Sequence, residues 1–238
     1  PYMWPFCSQG LYYDAEPVMF NLTVLNGMSV TGHISDVEYI PSTPTSSPSL
    51  LSVAFTHSPA LWPWSGWMGL HLTVTSAVTE ATTVEGVVRF SVSSSEGRRS
   101  EVVVPLRLRV VPTPPRSRRV LWDQAHNLRY PPAYFPRDNL DVKQDVLDWN
   151  GDHLHTNFRE VWDHLTSQGY YLEVLGRDFT CFDARKYGAL LLVDPEEEYF
   201  QEEVDKLHKD VQEVSVALFL RNTIKSLRVP EGRRGGGV

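Results

Sequence analysis

The sequence predicts a β-sandwich domain followed by an incomplete α/β domain with a mostly parallel sheet. Three observations support this prediction. Residues 18–111 contain segments in which apolar and polar side chains alternate with a period of two, as in half-buried strands. Residues 119–220 instead alternate short apolar runs with helical stripes. A proline-rich segment, "PTPPRSRR", separates the two regions and is typical of an extended connector.

The length of 238 residues also favours two domains. We therefore expect four segments, with the following boundaries: a β-sandwich at 1–112, a Pro/Arg-rich linker at 113–119, an incomplete α/β domain at 120–220 and a divergent, disordered tail at 221–238. The α/β domain is called incomplete because a doubly wound domain usually has at least one more strand and helix.

The first domain contains four clearly alternating segments. They are "VMFNLTVLNG" at 18–27, "GLHLTVT" at 69–75, "VVRFSV" at 87–92 and "EVVVPLRLRV" at 101–110. Turn-forming residues separate them, and no long helical pattern intervenes, which together predict a sandwich. Pro105 has no backbone N–H to donate, so its strand is expected at a sheet edge or bulge.

The second domain alternates strands and helices. In order, we predict a strand at 119–124, a helix at 157–169, strands at 170–176 and 188–194, a helix at 195–213 and a strand at 214–220. Gly169 is placed to end the first helix. The apolar face of the second helix is expected to consist of Phe200, Val204, Leu207 and Val211. This order of elements indicates a mostly parallel sheet.

Composition and charge exclude several classes of protein. A chain that is 42% hydrophobic and 21% charged is too apolar to be disordered. The net charge of −7 argues against nucleic acid as a partner. No apolar run approaches the ~20 residues that a membrane span requires. The two cysteines, Cys7 and Cys181, are too few to predict a disulfide scaffold, and Cys181 is expected to be a buried thiol.

A polar cluster, "DWNGDHLHTNF" at 148–158, has two interpretations. As a site, Asp152, His153 and His155 could provide metal or acid–base ligands. Asp123 and His126 would join them, because they follow the first strand at the sheet edge where α/β domains bind ligands.

The simpler interpretation, which we favour, is that the same cluster begins a helix. Asp152, Thr156 and Asn157 are all residue types that cap helices, and Glu160 follows Asn157 at the spacing of a capping box. On this interpretation the chain has no metal site.

No catalytic or cofactor-binding motif is found. The α/β region lacks the Gly-x-Ser-x-Gly turn of a hydrolase and the glycine-rich loop of a dinucleotide site. Cys181 lies in "DFTCFDA", which lacks the glycines that a sharp nucleophile turn requires. We therefore assign no catalytic residue and no cofactor.

Three further features allow a functional and a structural interpretation. Asn21 begins an Asn-Leu-Thr glycosylation sequon on the polar face of its strand. Trp62, Trp64 and Trp67 could hold a protein partner, although the favoured interpretation is that they cap the sandwich core or fill a domain interface. The "RSRR" at 116–119 could be a processing site or an anion patch, and is favoured as a solvated hinge.

Long strings across the chain closely resemble the site-1 protease family of subtilisin-like serine endopeptidases. They are "PYMWPFCSQ", "LNGMSVTGHI", "LWPWSGW", "PTPPRSRRVLWDQAHNLRYPPAYFPRDNL", "DWNGDHLHTNF", "VLGRDFTCFDARKYG" and "EEEYFQEEVDKL". The resemblance runs from residue 1 to about Val216 and covers the region that follows the protease domain.

The resemblance implies an accessory, non-catalytic part of an enzyme that is anchored by one membrane span in the lumen of the endoplasmic reticulum and Golgi. That enzyme is expected to cleave membrane-bound transcription factor precursors after a basic residue with an aliphatic residue nearby. None of the subtilase triad motifs can be mapped onto this sequence, so the implied partner is an upstream catalytic domain. The family also has an Asn-x-Thr triplet at the position of Asn21, which implies glycosylation there.

Overall fold

Two antiparallel sheets followed by one parallel sheet make up the architecture. The structure is a computed structural model that describes residues 9–42, 49–127, 154, 158–193, 195, 197–214 and, for the backbone, 217–221. A sheet of three strands faces another of three, and a four-stranded parallel sheet comes after them in the chain. The predicted fold class is thus confirmed.

The sandwich is formed by six strands. They are β1 (Val18–Asn26), β2 (Gly32–Pro41), β3 (Leu51–His57), β4 (Trp64–Val74), β5 (Thr82–Ser94) and β6 (Arg99–Val110). One sheet has the order β1-β4-β3 and the other β2-β5-β6, with every pair antiparallel. Leu70 and Leu72 of β4 pack in the same buried cluster as Val88 and Phe90 of β5. Burying each such side chain stabilises the fold by about 1.5–3 kcal/mol.

Two details of the sandwich concern its strand edges. Strand β6 is at the edge of its sheet, and Pro105 lies opposite Val87 without interrupting the register, which confirms the prediction for this proline. Strands β2 and β3 were not among the predicted segments. In β2 the register shifts between Ser35 and Glu38, where Asp36 has a φ of 53°, and this bulge breaks the alternation that predicts a strand.

The second domain has helices on both faces of a parallel sheet. Its elements are β7 (Arg119–Asp123), α1 (Arg159–Ser167), β8 (Tyr171–Leu175), β9 (Ala189–Val193), α2 (Gln201–Val214) and β10 (Ala217–Arg221). The sheet has the order β10-β9-β7-β8. Trp162 of α1 packs with Trp122 of β7, whereas Leu207 of α2 packs with Leu121 on the other face. All five residues of β7 are buried, because both faces of this strand are covered.

The start of α1 differs from the prediction. The N-cap residue is Phe158, which makes no side-chain capping bond, so the expected capping box of Asn157 and Glu160 does not begin this helix. Asp152, Thr156 and Asn157 themselves lie outside the described residues. The prediction for the other end is confirmed: Gly169 follows the C-cap with a φ of 79°, a conformation that glycine adopts without strain.

The start of α2 was also predicted wrongly. The helix begins at Gln201 rather than at 195, and Phe200, expected on the buried face, is 68% exposed. Leu207 is buried as predicted, Val211 is 39% exposed, and the buried Glu203 was not predicted. The carboxylate of Glu203 accepts hydrogen bonds from the N–H groups of Phe179 and Phe200, so the helix begins where this buried acid can cap it.

The linker is hydrogen-bonded to the α/β domain. Arg116, Ser117 and Arg118 are exposed, as the predicted solvated hinge requires, but their bonds and the burial of Arg119 hold the segment in place. Arg116 Nε donates to the carbonyl of Tyr187 at 2.8 Å, and Arg118 Nη1 donates to Gln168 at 2.9 Å. Arg119 is buried. Gly188 lies so close that a Cβ there would meet the Arg116 carbonyl at 2.9 Å. Proteolytic processing here would therefore require this packing to open.

The divergent tail predicted at 221–238 is largely outside the described residues, and Arg221 closes β10.

Candidate functional site at the carboxyl edge of the parallel sheet

The candidate site is built on the turn that follows β7. Asp123 is the last residue of that strand, and its Oδ1 accepts the backbone N–H of Ala125 at 3.0 Å. This Asx-type turn reverses the chain and brings His126 back, so that its Nδ1 lies 3.0 Å from Asp123 Oδ2. Both side chains are buried. The sequence-based expectation that Asp123 and His126 share this edge of the sheet is met.

Glu203 of α2 completes the site, and sequence analysis missed it. Its Oε1 lies 3.1 Å from His126 Nε2, on the side of the ring opposite to Asp123. Spacing was the available signal, because Glu203 precedes Leu207 by four residues and therefore shares its buried helix face. An acid on that face should have been expected to have a buried partner.

Two aromatic rings contact the imidazole. The ring centroids of Phe179 and Tyr199 each lie 4.5 Å from that of His126 and 5.4 Å from each other, so both rings approach the imidazole from one side. Aromatic faces carry partial negative charge and attract a nearby cation. The rings and the two carboxylates thus surround His126 with groups that stabilise its protonated form.

The electrostatics of the site agree with this geometry. Burial alone would lower the pKa of His126, but hydrogen bonds and charge from Asp123 and Glu203 outweigh it, and the pKa is raised. Burial would likewise raise the pKa of Glu203, but backbone N–H donors from Phe179 and Phe200, together with His126, lower it. The two carboxylates therefore favour the imidazolium form of His126.

An imidazole in this state cannot act as a general base. A base must present an unprotonated nitrogen to the nucleophile, and here both nitrogens face carboxylates. A metal would need the same nitrogen lone pair. In the part of the chain that the structure describes, no group of three His, Cys, Asp or Glu side chains could hold a metal ion. The arrangement joins the loop after β7 to the start of α2, which is a structural role.

The other predicted site residues do not join this cluster. Asp152, His153 and His155 lie outside the described residues. Cys181 is exposed, which contradicts the predicted buried thiol, because it lies in a short 3₁₀ turn at the surface. A hydroxyl does approach an imidazole in the sandwich, where Thr56 Oγ1 lies 3.0 Å from His71 Nε2, but this pair is on an open sheet face.

An exposed apolar pair lies at one end of the sandwich. Leu25 is 79% exposed and Trp62 is 67% exposed. Between them, the buried Asn26 donates from Nδ2 to the carbonyls of Leu61 and Trp62, at 3.1 and 3.3 Å. Asn26 Oδ1 also accepts the N–H of Met28 at 2.9 Å, which fixes the tip. The expectation that Trp62 caps the core is therefore wrong.

The remaining residues named from sequence lie on β1 and β4. Trp67 is half-buried and faces Thr23 across the sheet, and the side chain of Trp64 is not described. Asn21 is half-buried and lies opposite Gly69, where side-chain atoms of Thr56, His71 and Met19 lie within 4 Å of the position that a Cβ would take.

The comparisons define the class of protein. It has an immunoglobulin-like sandwich joined to an α/β domain of the glutamine-amidotransferase-like type. The family model "MBTPS1, third Ig-like domain" matches residues 1–113, and "MBTPS1, fourth GATase-like domain" matches 114–223. The second match extends past Val216, where the resemblance was expected to end. The chain therefore belongs to the site-1 protease family and corresponds to its C-terminal region.

Curated relatives agree with this assignment. The chain is 51% identical over 230 residues to membrane-bound transcription factor site-1 protease from Mus musculus and from Homo sapiens. It is 48% identical over 230 residues to subtilisin-like protease SBT6.1 from Arabidopsis thaliana. In each case the match covers 92% of this chain and 22% of the relative, so the chain spans about a fifth of their length. This homology supports a non-catalytic region of a subtilisin-like protease.

Among solved structures, the secreted serine protease VesC from Vibrio cholerae shares 14% identity with a TM-score of 0.29, over 44% of this chain and 22% of that one. No conclusion follows from so low a score. Among the described residues, no helix is long and apolar enough to cross a membrane.

Proposed function

We propose that this chain is an accessory region that braces the subtilisin-like catalytic domain of a site-1-protease-like enzyme. The observation that carries the proposal is the state of His126. This imidazole lies at the sheet edge where α/β domains bind ligands, and two carboxylates occupy both of its nitrogens. We infer that His126 therefore supports the structure and takes no part in catalysis. The match to accessory domains over residues 1–223 supports the same function.

The surface proposed to meet the catalytic domain is the Leu25–Trp62 pair. Aromatic and aliphatic anchors that are exposed on a rigid frame are typical centres of protein interfaces. The buried Asn26 holds the tip through the carbonyls of Leu61 and Trp62, so little backbone freedom would be lost on binding.

A binding experiment with a matched control tests the brace. The separately expressed catalytic domain of a close relative is heated alone and with this chain, and its unfolding temperature is measured. We expect the wild-type chain to raise that temperature, and Trp62→Ala to abolish the increase. Phe200→Ala is the control, because Phe200 is exposed to the same degree, 68% against 67%, but lies in the other domain. A wild-type chain that leaves the catalytic domain's stability unchanged would refute the brace.

For the whole enzyme, we propose cleavage of membrane-bound transcription factor precursors after a basic residue, in the lumen of the endoplasmic reticulum and Golgi. The family assignment supports this, together with the name of the mouse and human relatives. The isolated chain should not hydrolyse a basic-residue reporter peptide. Turnover that a serine-directed covalent inhibitor abolishes would contradict the proposal.

We also propose that Asn21 carries an N-linked glycan. Its sequon lies on β1, an edge strand of its sheet. Secreted expression in a eukaryotic host should give a protein whose mass falls on treatment with an amidase that removes N-glycans. The variant Asn21→Gln should show no such change.

A further inference from the structure

Residues 9–16 precede the first strand of the sandwich and contact both domains; we call them the N-terminal clasp. On the sandwich side, the N–H of Leu11 donates to Arg109 and its carbonyl accepts from Val111, both at 2.8 Å. Tyr13 forms a second bridge, to Val74, and Leu11 is part of the sandwich core. This half of the clasp behaves as an extra strand between the two sheets.

The other half of the clasp covers the edge strand β8 of the parallel sheet. The side-chain amide of Gln9 donates to the carbonyl of Leu172 at 2.9 Å and accepts its N–H at 3.0 Å. These are the two bonds that a neighbouring strand would make to Leu172. Gln9 thus occupies part of an edge that would otherwise be open to water or to another chain. The rings of Tyr12 and Tyr171 pack edge-to-face beside it.

Glu173 of β8 is the centre of the contact. Its buried carboxylate accepts hydrogen bonds from the hydroxyls of Tyr12 and Tyr187, from Arg119 Nε and from the N–H of Glu16. Two of these donors come from the clasp and two from the α/β side. A buried carboxylate that loses donors is costly, because neither water nor other groups replace them. Glu173 is therefore fully satisfied only when the clasp is in place.

Charged pairs surround this centre. Arg119 Nη2 donates to the carbonyl of Asp14 at 2.8 Å, while the carboxylate of Asp14 pairs with Lys186. Arg177 Nη2 contacts both carboxylate oxygens of Glu16, at 2.9 and 2.6 Å. Every one of these pairs joins the clasp to the α/β domain.

We propose that the N-terminal clasp makes the two domains one cooperative folding unit with a fixed mutual orientation. The connection near residue 113 is then not a hinge, although it is where the two family domains meet. A rigid pair of domains would carry a force or an orientation from one end of this region to the other. The inference goes beyond the brace, because it concerns how the two domains of this chain hold each other.

Hydrogen exchange of the full chain, measured by mass spectrometry, tests the proposal. Tyr12→Phe removes only the hydroxyl that donates to Glu173. Loss of a hydrogen bond to a charged group changes an opening equilibrium by about 10- to 100-fold. In one cooperative unit, the slowest amides of β5 and of β7 must then exchange faster by the same factor, although β5 is in the other domain.

The matched control is Tyr39→Phe. Tyr39 is half-buried in β2, and its hydroxyl has no hydrogen-bond partner among the described residues, so its loss should leave exchange in both domains unchanged. A reciprocal variant, Phe90→Leu in the sandwich core, should accelerate exchange in β7 as well as in β5. The proposal is overturned if Tyr12→Phe affects only one domain or neither, or if Phe90→Leu leaves β7 unchanged.

Discussion

The two domains differ in whether they bury charged pairs. In the sandwich, ion pairs such as Arg107–Glu85 and Arg89–Glu38 cross the outer sheet face and are 45–77% exposed. In the α/β domain, Arg119 pairs with Glu173 and His126 pairs with two carboxylates, all of them buried. The difference shows where a charge is needed for the fold and where it only covers a surface.

The cause is the layering of each sheet. Each antiparallel sheet buries one face and leaves the other to water, so alternate residues can be charged without cost. The parallel sheet is covered on both faces, so Arg119 at the start of β7 and Asp123 at its end are both buried. Charges on such a strand must find partners inside the protein.

The largest effect is expected from Glu173→Ala. The substitution leaves Arg119 as a buried charge without its carboxylate and leaves the hydroxyls of Tyr12 and Tyr187 without an acceptor. Removal of one partner of a buried pair typically costs about 3–5 kcal/mol. Urea denaturation should show that loss in the free energy of unfolding. Glu38→Ala, which breaks an exposed pair of the sandwich, is the comparison and should cost far less; equal losses would contradict the contrast between the domains.

A smaller loss is expected from His126→Phe. The new ring can pack against Phe179 and Tyr199, but Asp123 and Glu203 lose their shared donor. Hydrogen bonds to charged groups are worth about 1.5–3 kcal/mol, so a loss of about 2–3 kcal/mol is expected. Thermal unfolding measures it.

The comparison for that variant is His71→Phe, at a half-buried histidine on the outer sheet face of the sandwich. This substitution should lower the free energy of unfolding by no more than about 0.5 kcal/mol. If both substitutions lowered the stability of the protein equally, the hydrogen bonds of His126 would add nothing to that stability.

The pH dependence of stability should reveal the contribution of the His126–Glu203 pair. The folded-state pKa of His126 is raised, so its contribution is complete below its ordinary pKa of 6.5 and is lost as the pH rises through the raised pKa. The folded-state pKa of Glu203 is lowered, so its contribution is complete above 4.5 and is lost as the pH falls through the lowered pKa. Unfolding temperatures should therefore differ most between wild type and His126→Phe at pH 4.5–6.5. A difference that grows towards alkaline pH would contradict this assignment.

Periodicity was sufficient to predict the layers, but it did not predict the buried polar contacts. Four sandwich strands and four strands of the parallel sheet follow directly from alternation and apolar runs. Strand β2 was not predicted, because its bulge at Asp36 shifts the alternation of its side chains. The bulge depends on pairing with β5 and not on the sequence of β2 alone. The exposed position of Phe200 depends on a local contact that sequence analysis overlooked, the capping of α2 by Glu203 three residues further on.

Only part of the candidate site could be predicted from the sequence, because only some of its contacts are local. Asp123 and His126 are three residues apart, so their contact is local and the strand end signals it. Glu203 lies 77 residues further along the chain and reaches His126 only through the packing of α2 on the sheet. The clasp contact between Tyr12 and Glu173 spans 161 residues, and no local pattern marks it.

The smallest effect is expected from Arg107→Ala in the sandwich. Arg107 is 77% exposed and its partner Glu85 is 54% exposed, with 3.1 Å between Arg107 Nε and Glu85 Oε1. Solvent screens such a pair, and exposed pairs contribute at most about 1 kcal/mol. The free energy of unfolding in urea should fall by less than that, and 1 M salt should reduce even this difference. Because the sandwich charges are solvated, a loss as large as that of Glu173→Ala would mean that burial does not distinguish the two domains.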